Sequence, residues 1–273
     1  MRVLCLFFIM LIPFEGVYSQ QTEWSPLYRM AVGDLDLISL DNQGNVFYAD
    51  RLGNVFKVDP TGKISSRYSP RFQGRLTQLD ASSTTVLFLF SVDLQQIVLL
   101  DRHLVPIQNI SFQEESLGII KAAALGNDHA IWLIDEGDLS LKKYNYRINE
   151  VTQVQSMATL IGGNKIEVIG MVEKENVLFM LVKDRGLFVL DNQGNVVKSY
   201  NILFHKHSWS VYSGKLYFDK EGQIFAMNIY SGEECKIALP EFPASRIAVS
   251  SQRVALASTD SLYILLPTRP PKR

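Results

Sequence analysis

From Leu37 onward the chain alternates short apolar or β-branched runs with breaks rich in Gly, Asn and Asp. Runs of about 4–8 residues with period-two alternation, bounded by such breaks, read as strands. No stretch carries the spacing of an amphipathic helix, so an all-β chain is predicted. One run ends repeatedly in a turn: Val55 to Asp59, Ile97 to Asp101, Leu141 to Asn145, Leu187 to Asp191, Ile224 to Asn228 and Leu262 to Leu266. The period is roughly 40 residues.

Each of these runs has two apolar runs upstream. The nearer are Val46 to Ala49, Val86 to Phe90, Ala130 to Ile134, Val177 to Val182, Leu216 to Phe218 and Val254 to Ala257. The farther are Leu37 to Leu40, Leu76 to Leu79, Ile119 to Leu125, Ile166 to Val172, Trp209 to Tyr212 and Ile247 to Val249. A fourth run follows the turn, at Lys63 to Tyr68, Val105 to Ile110, Val151 to Gln155, Val196 to Ile202 and Cys235 to Leu239. Four strands repeated six times predict a six-bladed β-propeller of four-stranded antiparallel blades.

Turn chemistry agrees with that order. Asp59-Pro60-Thr61-Gly62 and Asp191-Asn192-Gln193-Gly194-Asn195 put Gly where a hairpin between third and fourth strands needs positive φ. Asp41-Asn42-Gln43-Gly44-Asn45 repeats the pattern between first and second strands. These strings lack the later bidentate Glu of a calcium loop and are read as turns. The last unit meets Pro267 before a fourth strand, while Leu27 to Val32 precede the first complete unit. That early segment is expected to supply the missing outer strand and close the ring, leaving no long sheet edge between the ends.

The N-terminus differs from all of this. Arg2, the apolar run Val3 to Ile12, Pro13, and Val17-Tyr18-Ser19 have the parts of a secretory signal, with cleavage predicted after Ser19. The run is well short of the roughly 20 residues that span a bilayer. Residues 1–19 are assigned to the signal peptide, 20–267 to the propeller domain and 268–273 to a frayed tail. A secreted or periplasmic location follows. Cys5 falls in the removed segment, so Cys235 is left without an internal disulfide partner and is expected as a half-buried strand residue.

The 273 residues carry 27 Lys+Arg against 28 Asp+Glu, which makes no electrostatic case for a nucleic-acid partner. Hydrophobic content of 47% with 20% charged residues excludes intrinsic disorder. Across residues 24 to 267 the blade pattern resembles the six-bladed propeller superfamily, loosely the NHL-repeat, YWTD and related extracytoplasmic propellers. The chain has no Trp-Asp dipeptide, no Tyr-Trp-Thr-Asp string and no tryptophan docking motif, and no catalytic residue is carried over.

In such a ring the second-to-third connections and the connections between blades share one face. An acid stands at every second-to-third connection, including Asp135, Asp184 and Asp219, and the innermost strands begin near Gln78, Lys121, Glu167, Trp209 and Arg246. Lys121, Glu167, Trp209, Arg246, Asp135, Asp184 and Asp219 are therefore the candidate binding residues. The bland reading of the acids is local turn chemistry, and that of Ala122, Ala123, Ala124 and Gly170 is crowding near the axis. His205-Lys206-His207 has ligand-like spacing without the further ligands zinc requires, and no metal or cofactor is expected. The chain contains no nucleophile elbow, P-loop, dinucleotide fingerprint or His-Glu-x-x-His. The expectation is a non-enzymatic propeller binding a protein, peptide or envelope component through its loop-bearing mouth. The alternative is an exported hydrolase or lyase acting on carbohydrate or peptide with loop carboxylates, which leave no local string. A third reading is an assembly domain marked by an exposed apolar patch.

Overall fold

A computed structural model describes residues 24–83, 85–113, 117–163, 166–202, 209–238, 242 and 244–267. The signal segment, the C-terminal tail and the His205-Lys206-His207 string lie outside the described residues.

Strand β1 (Trp24–Ala31) comes first. Blade 1 is β2 (Leu35–Leu40), β3 (Val46–Asp50), β4 (Val55–Val58) and β5 (Ile64–Tyr68). Blade 2 is β6 (Gln78–Asp80), β7 (Leu87–Ser91), β8 (Gln96–Leu100) and β9 (Pro106–Ser111). Blade 3 is β10 (Ile120–Leu125), β11 (Ala130–Asp135), β12 (Ser140–Asn145) and β13 (Glu150–Ser156), followed by the five-residue helix α1 (Met157–Ile161). Blade 4 is β14 (Val168–Lys174), β15 (Val177–Val182), β16 (Gly186–Leu190) and β17 (Val196–Tyr200). Blade 5 is β18 (Trp209–Tyr212), β19 (Lys215–Lys220), β20 (Gln223–Asn228) and β21 (Glu234–Lys236). Blade 6 is β22 (Arg246–Val249), β23 (Val254–Ala257) and β24 (Ser261–Pro267), completed on its outer side by β1.

The protein is thus a six-bladed β-propeller with an N-terminal closing strand, as the repeat pattern predicts. Burial along each blade explains why the pattern is legible. Second strands such as β7 and β11 are buried at every residue because both sheet faces pack on neighbouring blades. Outer strands such as β17 alternate between half-buried and exposed positions because they face solvent on one side. Cys235 lies in the outer strand β21 and is exposed, a correction to the half-buried position expected of it. The helix α1 was not expected; its five residues are too few to show a helical period, and only Met157 is buried.

Six apolar clusters fill the six seams between consecutive blades. The seam joining blade 6 to blade 1 contains Leu35, Tyr48, Ala255, Leu262 and Ile264, with Tyr28 and Met30 of β1 packed against it. Closure is antiparallel, from Trp24 opposite Pro267 to Ala31 opposite Ser261, with a register shift between Pro26 and Tyr28 that leaves Leu27 unpaired. Pro26 has no N–H to donate and is tolerated because β1 is an outer strand. Beyond the strand ends, Val32 N–H donates to the Asp260 carbonyl and Leu35 N–H to the Thr259 carbonyl, each at 2.8 Å.

Turn carboxylates act locally. Asp41, Asp59, Asp101 and Asp191 each accept backbone N–H bonds from the residues two and four positions on. These contacts support the reading of the strings as turns. Truncating Leu262, fully buried at the closing seam, to Ala should cost about 2–5 kcal/mol. Leu27→Ala at the exposed bulge should change stability by less than about 0.5 kcal/mol. Urea denaturation of the two variants measures the contrast.

Candidate functional site

The innermost strands enclose a central cavity of about 740 Å³. That volume falls in the range of small-ligand sites, about 300–1,000 Å³. Its walls come from β2, β6, β14, β18 and β22, with apolar residues such as Leu40, Met171, Val211 and Ile247 interleaved with polar ones. The lining residues that are exposed to solvent are Asn42, Asn127, Glu175, Ser213 and Ser251, all on turns joining first to second strands. The cavity therefore reaches solvent on the face opposite to the second-to-third connections, where a mouth was expected.

Of the seven sequence-nominated residues, Trp209 and Arg246 line this cavity. Trp209 lies against Gly170 of the neighbouring blade, where an added Cβ would stand 3.2 Å from the indole Cζ2. The missing side chain at Gly170 is the space that seats the ring, a more specific cause than crowding near the axis. Arg246 is buried and donates through Nη1 to Ser245 Oγ at 2.7 Å, through Nη2 to Asp36 Oδ1 at 3.2 Å, and through Nε to the Asp36 carbonyl.

The other five are placed elsewhere. Lys121 pairs with Glu136 at 3.1 Å and Glu167 with Lys183 at 2.9 Å, both near the surface. Asp135 is buried: its carboxylate accepts N–H bonds from Gly118 at 2.9 Å and Gly137 at 2.8 Å, and pairs with Lys142 at 2.5 Å. A Cβ at Gly118 would collide with that carboxylate, so the connection into blade 3 is folded around it. Asp184 sits exposed in a turn with φ of 58°, and Asp219 is half-buried in β19.

The charges that shape the cavity come from residues that a local reading passes over. Asp36 of β2, only 1% exposed, receives Arg75 Nε at 2.6 Å and Nη2 at 2.9 Å, in addition to Arg246. One carboxylate so ties blades 6, 1 and 2. Across the cavity, Lys174 of β14 reaches Asp80 of β6 at 2.9 and 3.0 Å and also bonds Ser82 Oγ. Gln78 Nε2 donates to the Met171 carbonyl at 2.5 Å, so blades 2 and 4 meet in front of blade 3. Glu173 accepts from Trp132 Nε1 at 2.5 Å and Asn127 N–H at 3.1 Å. The sequence signal for this set was an acid within an otherwise apolar inner strand, as in Leu35-Asp36-Leu37 and Leu79-Asp80-Ala81. Partner residues up to 94 positions away had no such signal.

Burial raises the Asp36 carboxyl, but the hydrogen bonds and charges of Arg75 and Arg246 outweigh it and hold the group below its ordinary range. Burial likewise opposes ionisation of Asp80, and Lys174 with Ser82 overcomes it. Among the described residues no group of three or more His, Cys, Asp or Glu side chains is placed to hold a metal ion.

No protein-family model matches the chain, and no curated protein matches it in sequence. Solved structures do match in shape. The Cps50 (Swd1) β-propeller domain of Myceliophteria thermophila is 10% identical with a TM-score of 0.63, covering 90% of this chain and 100% of that one. Virginiamycin B lyase from Staphylococcus aureus is 12% identical with a TM-score of 0.56, covering 85% and 80%. BamB from Moraxella catarrhalis is 8% identical with a TM-score of 0.53, covering 89% and 99%. At these identities the likeness is one of fold, and propellers carry unrelated functions.

A depressed carboxyl contributes stability above its unfolded value and loses it as pH falls through the folded value. Acid destabilisation linked to Asp36 and Asp80 should therefore appear below about pH 4. Asp36→Asn should cost about 3 kcal/mol at pH 7, the low end for a broken buried pair because more than half of the Arg75 side chain is in water. The gap between Asp36→Asn and the unaltered protein should narrow toward pH 3 as the carboxyl protonates. Denaturant titrations at both pH values measure it.

Proposed function

We propose that the chain is an exported, non-enzymatic propeller that binds a protein, peptide or envelope component through its central channel. The observation that carries the reading is the cavity, of ligand size and open to solvent, with Lys174, Glu173 and Arg246 of its wall held by neighbouring groups. Asp80 with Lys174, Asp36 with Arg75 and Arg246, and Glu173 with Trp132 and Asn127 build the wall. Groups held in this way are preorganised for recognition, because they keep their geometry when water leaves. The acids nominated for hydrolase or lyase chemistry, Asp135, Asp184 and Asp219, do not line the cavity, and this favours binding over the catalytic alternative.

Export rests on the N-terminal pattern of Arg2, Val3 to Ile12 and Val17-Tyr18-Ser19. No helix among the described residues is long and apolar enough to cross a membrane.

Two measurements test the reading. N-terminal sequencing of the protein recovered from its native source should begin at Gln20; a retained Met1 would contradict export. Gentle crosslinking of the native envelope fraction, followed by mass spectrometry, should recover one component with the unaltered protein. Ser251→Trp or Ser213→Trp, which places an indole in the cavity rim, should reduce that recovery by about tenfold or more, equivalent to about 1.4 kcal/mol. Equal recovery with the filled cavity would contradict channel binding.

A further inference from the structure

Cavity chemistry narrows the ligand, and this step rests on the channel-binding reading above. Each of the six turns from first to second strand contributes a polar residue to the rim: Asn42, Ser83, Asn127, Glu175, Ser213 and Ser251. Five of these six are uncharged amides or hydroxyls, and Glu175 is the exception. A hydroxyl both donates and accepts, and an amide offers one group of each kind. Such a rim matches a ligand whose own surface is made of groups that do both.

Charged groups beside the rim and at the other end of the inner strands are already matched. Lys174 is bonded to both oxygens of Asp80 and to Ser82, and Arg246 is directed to Asp36 and Ser245. Glu173 is held by the Trp132 indole and the Asn127 N–H. An ionic ligand would have to compete with these pairs and pay its own desolvation. Toward the other end of the inner strands the Trp209 ring lines the cavity, seated at Gly170. An aromatic ring inside the cavity below a polar hydrogen-bonding rim suits a molecule with apolar C–H faces and hydroxyl edges.

We propose that the cavity takes an uncharged, hydroxyl-rich ligand, the end of a neutral glycan, entering between the turns that join first to second strands. Trp209 packs on a sugar face, and Asn42, Ser83, Ser213 and Ser251 bond its hydroxyls. The ion pairs stay intact and hold the walls apart.

The experiment is calorimetric titration of the purified mature chain with named probes. These are maltohexaose, cellohexaose, chitohexaose and mannohexaose as neutral glycans, polygalacturonate and heparin as acidic ones, and two dodecapeptides, one of Gly, Ser and Asn and one with alternating Lys and Glu. At least one neutral glycan should bind, with an affinity little changed between low and high salt because no net charge is neutralised. Ser251→Trp should weaken it by about tenfold or more, and Trp209→Ala by a similar factor, with Trp209→Phe restoring much of the loss. Melting temperatures of the three variants, matched to the unaltered protein, separate loss of binding from loss of fold. Binding confined to the acidic polymers, or to either peptide, overturns the glycan assignment. If that peptide binding is also lost in Ser251→Trp, channel binding stands while the ligand class falls. Failure of every probe overturns the glycan proposal, and the crosslinking result then decides the broader reading on its own.

Discussion

The pairing of β1 with β24 is the constraint on which the rest depends. Five of the six apolar seams join blades that follow one another in the chain; the sixth has to join the last blade to the first. Residues Trp24 to Ala31 accomplish this by lying antiparallel to Ser261–Pro267, more than two hundred positions away. Tyr28 and Met30 then cover the seam in which Leu35, Leu262 and Ile264 are buried. Without that strand blade 6 would present β24 as an open edge carrying Leu265 and Ile264, both fully buried in the closed ring.

Closure also sets the cavity. Once the ring is shut, the inner strands are held at a distance that side chains must either fill or span. Gly170 gives way to the Trp209 ring, while Lys174 and Gln78 reach across from one blade to another. Asp36 uses a single carboxylate to hold guanidinium groups from the connection before blade 2 and from blade 6. The buried charges are therefore part of how the wall is built.

Much of the fold was legible in the sequence because a blade buried on both faces writes near-continuous apolar runs, as in Leu87 to Ser91 and Val177 to Val182, with breaks rich in Gly, Asn and Asp between them. The missing fourth strand of the last unit made the closing segment visible too. Less of the candidate site could be read. Trp209 and Arg246 were found because they begin inner strands, and position in the repeat predicts proximity to the axis. Lys121 and Glu167 occupy comparable positions but turn to local ion partners. Asp135 was nominated as a turn acid facing the mouth and is instead enclosed by Gly118, Gly137 and Lys142. Which way a polar side chain turns at a strand end depends on neighbours brought there by the ring, and the pairing of Asp80 with Lys174 has no trace in the order of residues.

The most direct test of ring closure is amide hydrogen exchange along β24 in the intact protein. With β1 in place, the outward-facing amides of Leu262, Ile264 and Leu266 should exchange as slowly as those of β23, opening only with global unfolding. Exchange of those amides at the rate of an exposed sheet edge, while β23 stays protected, would show that the ring is not closed by its N-terminal strand.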